Sequence, residues 1–380
     1  MEKFLIEISD NISEKVAKEC NEFMPSGHIA VCCTTKDLDY AKSVTEKINT
    51  FDYEITFIEY PDDVVIDDES VLDIVESQEN IRFFIGVGGR EIAALLSKAT
   101  TLREFEYILV SNTPDIYGVG YAIGKTEAFE EYQFIMPKAL YIDSNCVSKK
   151  EGFASLVGII LGHAVEIFEK EYINKMNGKF QENLLSIEKQ KIYDMIGNGD
   201  MCDRKKLLEQ IVDFCNTERQ EFCSSQKVMT KLLEEISLVY DKGDSSLLSA
   251  IALIKYFKAI LSVEEGSLTI PVDVSSKCRN LAKLSNVEMS TIIKHVEKRR
   301  FEPKWLFIHK EYRKDMLDDI TKIESKLENI IRSAKRYMSD VGYHLGEEYD
   351  SNMLIQAIYN LSPLVEDCSP VSIADCLGIG

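Results

Sequence analysis

The residues Gly86-Val87-Gly88-Gly89, with Arg90 and Glu91 behind them, have the types and spacing to hold an anion. They join an apolar run, FFIGV (83–87), to a segment with helical spacing, REIAALLSKA (90–99). Glycines at such a junction let the backbone come close to a phosphate, and the first turn of the helix points N–H groups at it. The pattern falls short of G-x-G-x-x-G, because Glu91 stands where the last glycine belongs. The same glycines would also serve a tight strand-to-helix turn that binds nothing.

A second constellation is His163 with Glu166, spaced i, i+3 on a long apolar segment, which can place both side chains on one metal ion. The alternative is a partly buried histidine with a local hydrogen bond. The remaining histidines, His28, His295, His309 and His344, are scattered. The ten cysteines show no CxxC spacing, and most lie in apolar segments, as reduced and buried thiols do. One basic run, KHVEKRRFEPKWLFIHKEYRK (294–314), interleaves Lys and Arg with aromatic residues; it reads as a solvated helix end followed by an aromatic packing loop. It also suits a docking surface for an acidic partner, and in principle phosphate contact with base stacking. The acidic run YPDDVVIDDES (60–70) reads as an edge loop leading into a helix capped at Asp68 or Ser70.

Elements that must position these residues follow from hydrophobic period. FLIEI (4–8), HIAVCC (28–33), YEITFIEY (53–60), RFFIGV (82–87), YILVS (107–111) and ALYID (139–143) read as strands, with amphipathic helices at 13–24 and 37–48. Strand alternating with helix predicts an α/β, Rossmann-like domain with a mostly parallel sheet over residues 1–145. From 151 onward the periods are helical, beginning with the apolar segment EGFASLVGIILGHAVEIFEKEYINKM, so residues 146–380 are expected to form an all-α domain.

Composition sets outer bounds. With 45% hydrophobic and 28% charged residues the chain is of ordinary globular type, and a formal charge of −20 argues against nucleic acid and acidic membrane surfaces as partners. No apolar run of spanning length and no secretory signal stand out, so a cytoplasmic protein is expected.

The order of motifs resembles the dehydroquinate synthase and iron-containing alcohol dehydrogenase superfamily. Beside the glycine turn, YAIGKT (121–126) looks like the VGGKT segment of dehydroquinate synthases, and FIMPKALYID (134–143) looks like their F-x-x-P-x-A-V-x-I-D strand. EGFASLVGIIL (151–161) is similar to their G-x-A-E-x-x-K helix, and YDKGDSSLLSAIAL (240–253) to their H-G-E-A-V-A-I-G segment. The likeness is collinear from about residue 28 to 260, closest to 3-dehydroquinate synthase. It implies a two-domain fold, bound NAD, and a zinc or cobalt ion on one carboxylate and two histidines, which polarises a hydroxyl of a sugar-acid phosphate.

Carried across residue by residue, that implication breaks at several places. The family's third glycine is Arg90, its substrate aspartate four positions on is Ala94, and its PTT turn is Ser111-Asn112-Thr113. The aspartate before the VGGKT segment is Val119, while the lysine of that segment is kept as Lys125. The ligand glutamate falls at Ser155 and the lysine one turn later at Gly158. The H-G-E histidine becomes Lys242, and the other ligand histidine aligns with Lys231 or Ser225. The resemblance therefore implies a weakened NAD site, with Gly86, Gly88, Gly89, Arg90 and Thr113 facing the cofactor, and no metal. Two readings follow. One is a binding protein that has lost the parent reaction and takes a nucleotide or phosphorylated small molecule in an interdomain cleft. The other is an NAD-dependent synthase, lyase or dehydrogenase acting on a sugar- or cyclitol-phosphate, in which Lys125 and Lys242 stabilise a developing oxyanion. Family members commonly pair, so a homodimer is expected.

Overall fold

The runs read as strands pair into one six-stranded sheet. Its strands are β1 (Leu5–Ser9), β2 (Gly27–Thr34), β3 (Tyr53–Tyr60), β4 (Phe83–Val87), β5 (Glu106–Ser111) and β8 (Ala139–Asp143). The computed structural model describes residues 5–23, 27–48, 53–62, 64, 68–77, 81, 83–114, 121–122, 132–133, 135, 137–178, 182–197, 203–217, 224–235, 242–263, 274–284, 289–297, 302–340 and 351–377. The order across the sheet is β1-β8-β5-β4-β2-β3, and every neighbouring pair is parallel. A separate antiparallel pair, β6 (Tyr121–Ala122) with β7 (Tyr132–Gln133), was not foreseen from the sequence.

Parallel strands need crossovers, and helices α1 (Ile12–Phe23), α2 (Leu38–Thr45), α3 (Asp68–Ser77) and α4 (Arg90–Leu102) are the helical segments between the first five strands. β4 is buried along its whole length, whereas the edge strands β1 and β3 are mostly half-buried or exposed. Val16 and Cys20 of α1 and Val44 of α2 pack on Val31, Ile85 and Val110 of the sheet. Each such side chain contributes about 1.5–3 kcal/mol of burial. After β2 the chain runs outward to β3, then returns to lay β4 on the other flank of β2. That reversal is a topological switch point, where the carboxyl ends of parallel strands open a crevice.

The remaining helices are α5 (Lys150–Met176), α6 (Glu182–Gly197), α7 (Arg204–Thr217), α8 (Ser225–Glu235), α9 (Lys242–Ser262), α10 (Val274–Leu284), α11 (Met289–Glu297), α12 (Lys304–Asp340), α13 (Ser351–Tyr359) and α14 (Pro370–Cys376). The chain divides into two units, Met1–Gly152 with Cys215–Thr217, and Phe153–Phe214 with Glu218–Gly380. An α/β unit and a helical unit make up the fold class the periodicity predicted.

Two expectations need correction. The basic and aromatic run was expected to be a helix end followed by a loop, but from Lys304 onward it is the first part of α12. Its apolar period explains this: Trp305, His309 and Met316 fall on one buried face. Apolar stretches of spanning length do exist, at Gly152–Met176 and Ser245–Ser262; the window in the first is 94% buried, as suits a core helix. The cysteines follow expectation where described, for Cys20, Cys32, Cys33, Cys146, Cys278, Cys368 and Cys376 are all buried and none of them forms a disulfide. Burial pushes the Cys20 thiol up to about 12, and with it the reactive thiolate form is lost.

Candidate functional site

The glycine turn stands at the switch point, at the carboxyl end of β4. Gly86 lies within the strand, beside Cys32 of β2 and Leu109 of β5. A Cβ there would come within 2.6 Å of Leu96 and 2.7 Å of Leu109, so the missing side chain is what lets α4 lie close on the sheet. Gly88 has φ near 140°, a conformation in which a side chain is strained. Its N–H donates to the Val110 carbonyl at 3.0 Å. Gly89 is the N-cap of α4, with no side chain capping the helix, so the N–H groups of the first turn have no partner within the helix itself. Arg90 opens α4, and its side chain lies outside the described residues.

Sequence reasoning missed the residue at the centre of this arrangement. Asp37 ends a short 3-10 turn, Thr35–Asp37, after β2 and is only 5% exposed. Its Oδ2 accepts from Thr34 Oγ1 at 2.9 Å, and its Oδ1 accepts from Asn112 Nδ2 at 3.1 Å. The same Oδ2 lies 2.9 Å from the position a Gly88 Cβ would take. One carboxylate thus touches the ends of β2, β4 and β5. The Ser111-Asn112-Thr113 turn closes on itself, since Ser111 Oγ donates to the Thr113 carbonyl at 2.9 Å and accepts from the Thr113 N–H at 3.2 Å. At the end of β8, Asp143 Oδ2 accepts from Tyr40 Oη of α2 at 3.2 Å. Burial first, then Asp143, pushes the Tyr40 hydroxyl well above its ordinary range. The carboxyl edge of the sheet therefore carries two carboxylates, Asp37 against the glycine turn and Asp143 at the end of β8.

This bears on the dinucleotide the resemblance implies. A pyrophosphate uses the open face of a glycine and its free N–H. At Gly88 that face is filled by an anion and that N–H is engaged by β5. The residues here do not fit a pyrophosphate held in the family manner. Of the other expected cofactor and catalytic residues, Thr113 joins this edge, while Lys125 lies outside the described residues. Lys242 is the first residue of α9, and its side chain is likewise outside them.

A second polar cluster lies within the helical unit, where α8 meets α5. Glu166 Oε2 is 2.9 Å from His163 Nδ1, and Glu166 Oε1 accepts from Ser224 Oγ at 2.8 Å. Burial pushes the Glu166 carboxyl up, but His163, and after it Lys227 and Ser224, outweigh burial and hold it down to about 2. One turn further along α5, fully buried Glu169 accepts from the Ser225 N–H at 2.7 Å and from Ser225 Oγ. There burial wins over both hydrogen bonds and pushes the carboxyl up to about 8. Of the positions that the resemblance gives to metal ligands, Ser155 is buried, as are Lys231 and Ser225, the two alternatives for one histidine, and the third is Lys242. Serine hydroxyls, of which that of Ser225 is already bonded to Glu169, and ammonium groups do not form a divalent-cation site, and among the described residues no group of three or more His, Cys, Asp and Glu side chains is placed to hold a metal ion. Elsewhere, His28 contacts Thr56 Oγ1 at 2.7 Å and His309 contacts Tyr172 Oη at 2.6 Å; His344 and the side chain of His295 lie outside the described residues.

No family model and no curated protein matches the sequence. Solved structures do resemble it. An iron-containing alcohol dehydrogenase from Corynebacterium glutamicum superposes with a TM-score of 0.54 at 12% identity, covering 99% of this chain and 97% of the other. The fold is that of the iron-containing alcohol dehydrogenases. Sulfoacetaldehyde reductase from Bifidobacterium kashiwanohense, in complex with NAD+, gives 0.53 at 11% identity, over 98% and 94% of the two chains. A probable glycerol dehydrogenase from Sinorhizobium meliloti gives 0.51 at 12%, over 85% and 97%. Within this dehydroquinate synthase-like architecture the glycine turn and the α5–α8 cluster are two places where polar groups collect among the described residues.

Proposed function

We propose that this chain is a divergent, dehydroquinate synthase-like binding protein that no longer runs the metal-dependent parent reaction. Its ligand is a phosphorylated small molecule or nucleotide, met by Gly89 and Thr113 at the carboxyl edge of the sheet, with Arg90 and Lys125 as the further contacts the resemblance implies, and the protein works as a homodimer. The observation that supports the loss of the reaction is at the two positions that align with one ligand histidine: Ser225 spends its N–H and its hydroxyl on buried Glu169, and the alternative, Lys231, is an amine. A side chain locked into a helix-to-helix contact is not free to serve a metal ion.

A second reading, an NAD-dependent enzyme with a remodelled site, draws on the NAD+-bound solved relative that shares the fold. In it Lys125 and Lys242 would replace the charge of the metal. Calorimetric titration of the purified protein with NAD, with and without zinc, alongside elemental analysis, separates the two. The expected result is no saturable NAD binding and no stoichiometric metal, with inorganic phosphate binding that weakens in Lys125→Ala. Tight NAD binding with about one metal per chain would overturn the proposal, as would a turnover that disappears in Lys125→Ala or Lys242→Ala.

A further inference from the structure

Asp37 has no part in any reading made from the sequence, yet its carboxylate touches the glycine turn. Three features fix it there. It is nearly excluded from solvent, each of its carboxylate oxygens accepts a hydrogen bond, from Thr34 and from Asn112, and its Oδ2 occupies the space that the absence of a Gly88 side chain leaves open. A ligand oxygen approaching Gly88 from that side meets a fixed negative charge at van der Waals distance. The charge cannot swing away without giving up both bonds. It also lies in a poorly solvated setting, where repulsion between like charges is screened far less than in water.

We infer that Asp37 is a specificity-determining residue that turns pyrophosphate-bearing ligands away from the glycine turn and restricts the site to ligands carrying a single phosphate. The inference rests on the reading of this edge as the binding site of a phosphorylated ligand. A dinucleotide has to lay two linked, charged phosphates along the turn, so one of them is brought to Gly88. A phosphomonoester can end on the amino-terminal turn of α4 beyond Gly89 and leave Gly88 untouched. The Gly88 N–H gives no compensation, because Val110 already accepts it.

The test uses the full-length protein and three probes, inorganic phosphate, ADP and NAD, each titrated calorimetrically into wild type, Asp37→Asn and Asp37→Ala, with thermal melting as the check on folding. Thr34→Val serves as a control that removes one bond to Asp37 and keeps its charge. Wild type is expected to bind phosphate and to show no saturation with ADP or NAD. Both Asp37 variants gain affinity for ADP and NAD by roughly tenfold or more, as removal of a like charge at this range requires, with phosphate binding little changed and Thr34→Val showing no gain. If Asp37→Ala does not fold, Asp37→Asn, which keeps an acceptor for Thr34, carries the comparison. The inference is overturned if the folded variants gain nothing, or if wild type binds NAD and loses it on mutation, which would make Asp37 a ligand contact. Absence of phosphate binding in every form would sink the underlying reading of the site instead, and the change in ADP and NAD affinity would still decide the role of Asp37.

Discussion

Gly88 is constrained twice, by a backbone conformation that side chains rarely adopt and by a carboxylate where its Cβ would go. The two constraints separate experimentally. Gly88→Ala is expected to lower stability by about 2 kcal/mol, the sum of a positive-φ cost and a displaced Asp37. In an Asp37→Ala background the same substitution should cost at least about 0.5 kcal/mol less, because only the backbone term is left. Urea unfolding of the four proteins gives the coupling, and equal costs in both backgrounds would show that the contact with Asp37 carries no energy. The turn itself was legible, because glycine and the strand-to-helix change of period are local signals. Asp37 was not, because its partner Asn112 is 75 residues away in sequence and only the parallel packing of β2, β4 and β5 brings them together. The role of Gly86 could not be read locally for the same reason: what fills the space beside it is Leu109 of the next strand and Leu96 of the helix above.

Helices dock in pairs, and α8 docks on α5 through two carboxylates rather than one. Ser224 caps α8, its hydroxyl accepting from the Lys227 N–H at 3.2 Å while donating to Glu166; Ser225 donates to Glu169. The carboxylates titrate in opposite senses. The Glu169 carboxyl is raised to about 8 by burial, with Glu166 and Glu366 adding to the rise, so its neutral form is the one the folded protein prefers. Its contribution to stability is complete below about pH 4.5, the ordinary carboxyl range, and is lost as pH rises toward 8. Glu166, held at about 2, contributes above the ordinary range and loses its contribution as pH falls toward 2. Denaturant midpoints measured across pH should therefore decline from pH 5 to pH 8, and Glu169→Gln, which keeps shape and neutrality, should flatten that decline. An unchanged slope in the variant would place the titrating group elsewhere. The long apolar helix was legible from its composition, and so was the His163–Glu166 pair at its i, i+3 spacing. The partner of Glu166 across the helix pair was not, since Ser224 lies 58 residues further on.

For the molecule as a whole, the pattern of periods carried the architecture, because burial on both faces leaves continuous apolar strands and burial all round leaves apolar helices, whatever the ligand. What the periods could not show is how closely the backbone approaches itself where α5 begins. The last residue of the first unit is Gly152, in the opening turn of α5, and the next residue, Phe153, is already buried in the second. A Cβ on Gly152 would stand 2.1 Å from the Cys146 carbonyl oxygen and 2.8 Å from its carbon. That neighbour is backbone of the 3-10 turn Ser144–Ser148, which Asp143 holds by accepting from the Asn145 N–H at 2.9 Å, so it cannot rotate aside as a side chain would. Gly152→Ala must then shift either the turn that follows β8 or the first residues of α5, both within the first unit. We expect a loss of about 3 kcal/mol or more, beyond the usual range for a surface substitution. Calorimetric melting shows where the loss falls. A drop confined to one transition means that one unit gives way and the other keeps its packing, whereas a single transition lowered by several degrees means that the two melt as one. A variant that melts like wild type would show that the approach of Gly152 to Cys146 is not a constraint on the fold.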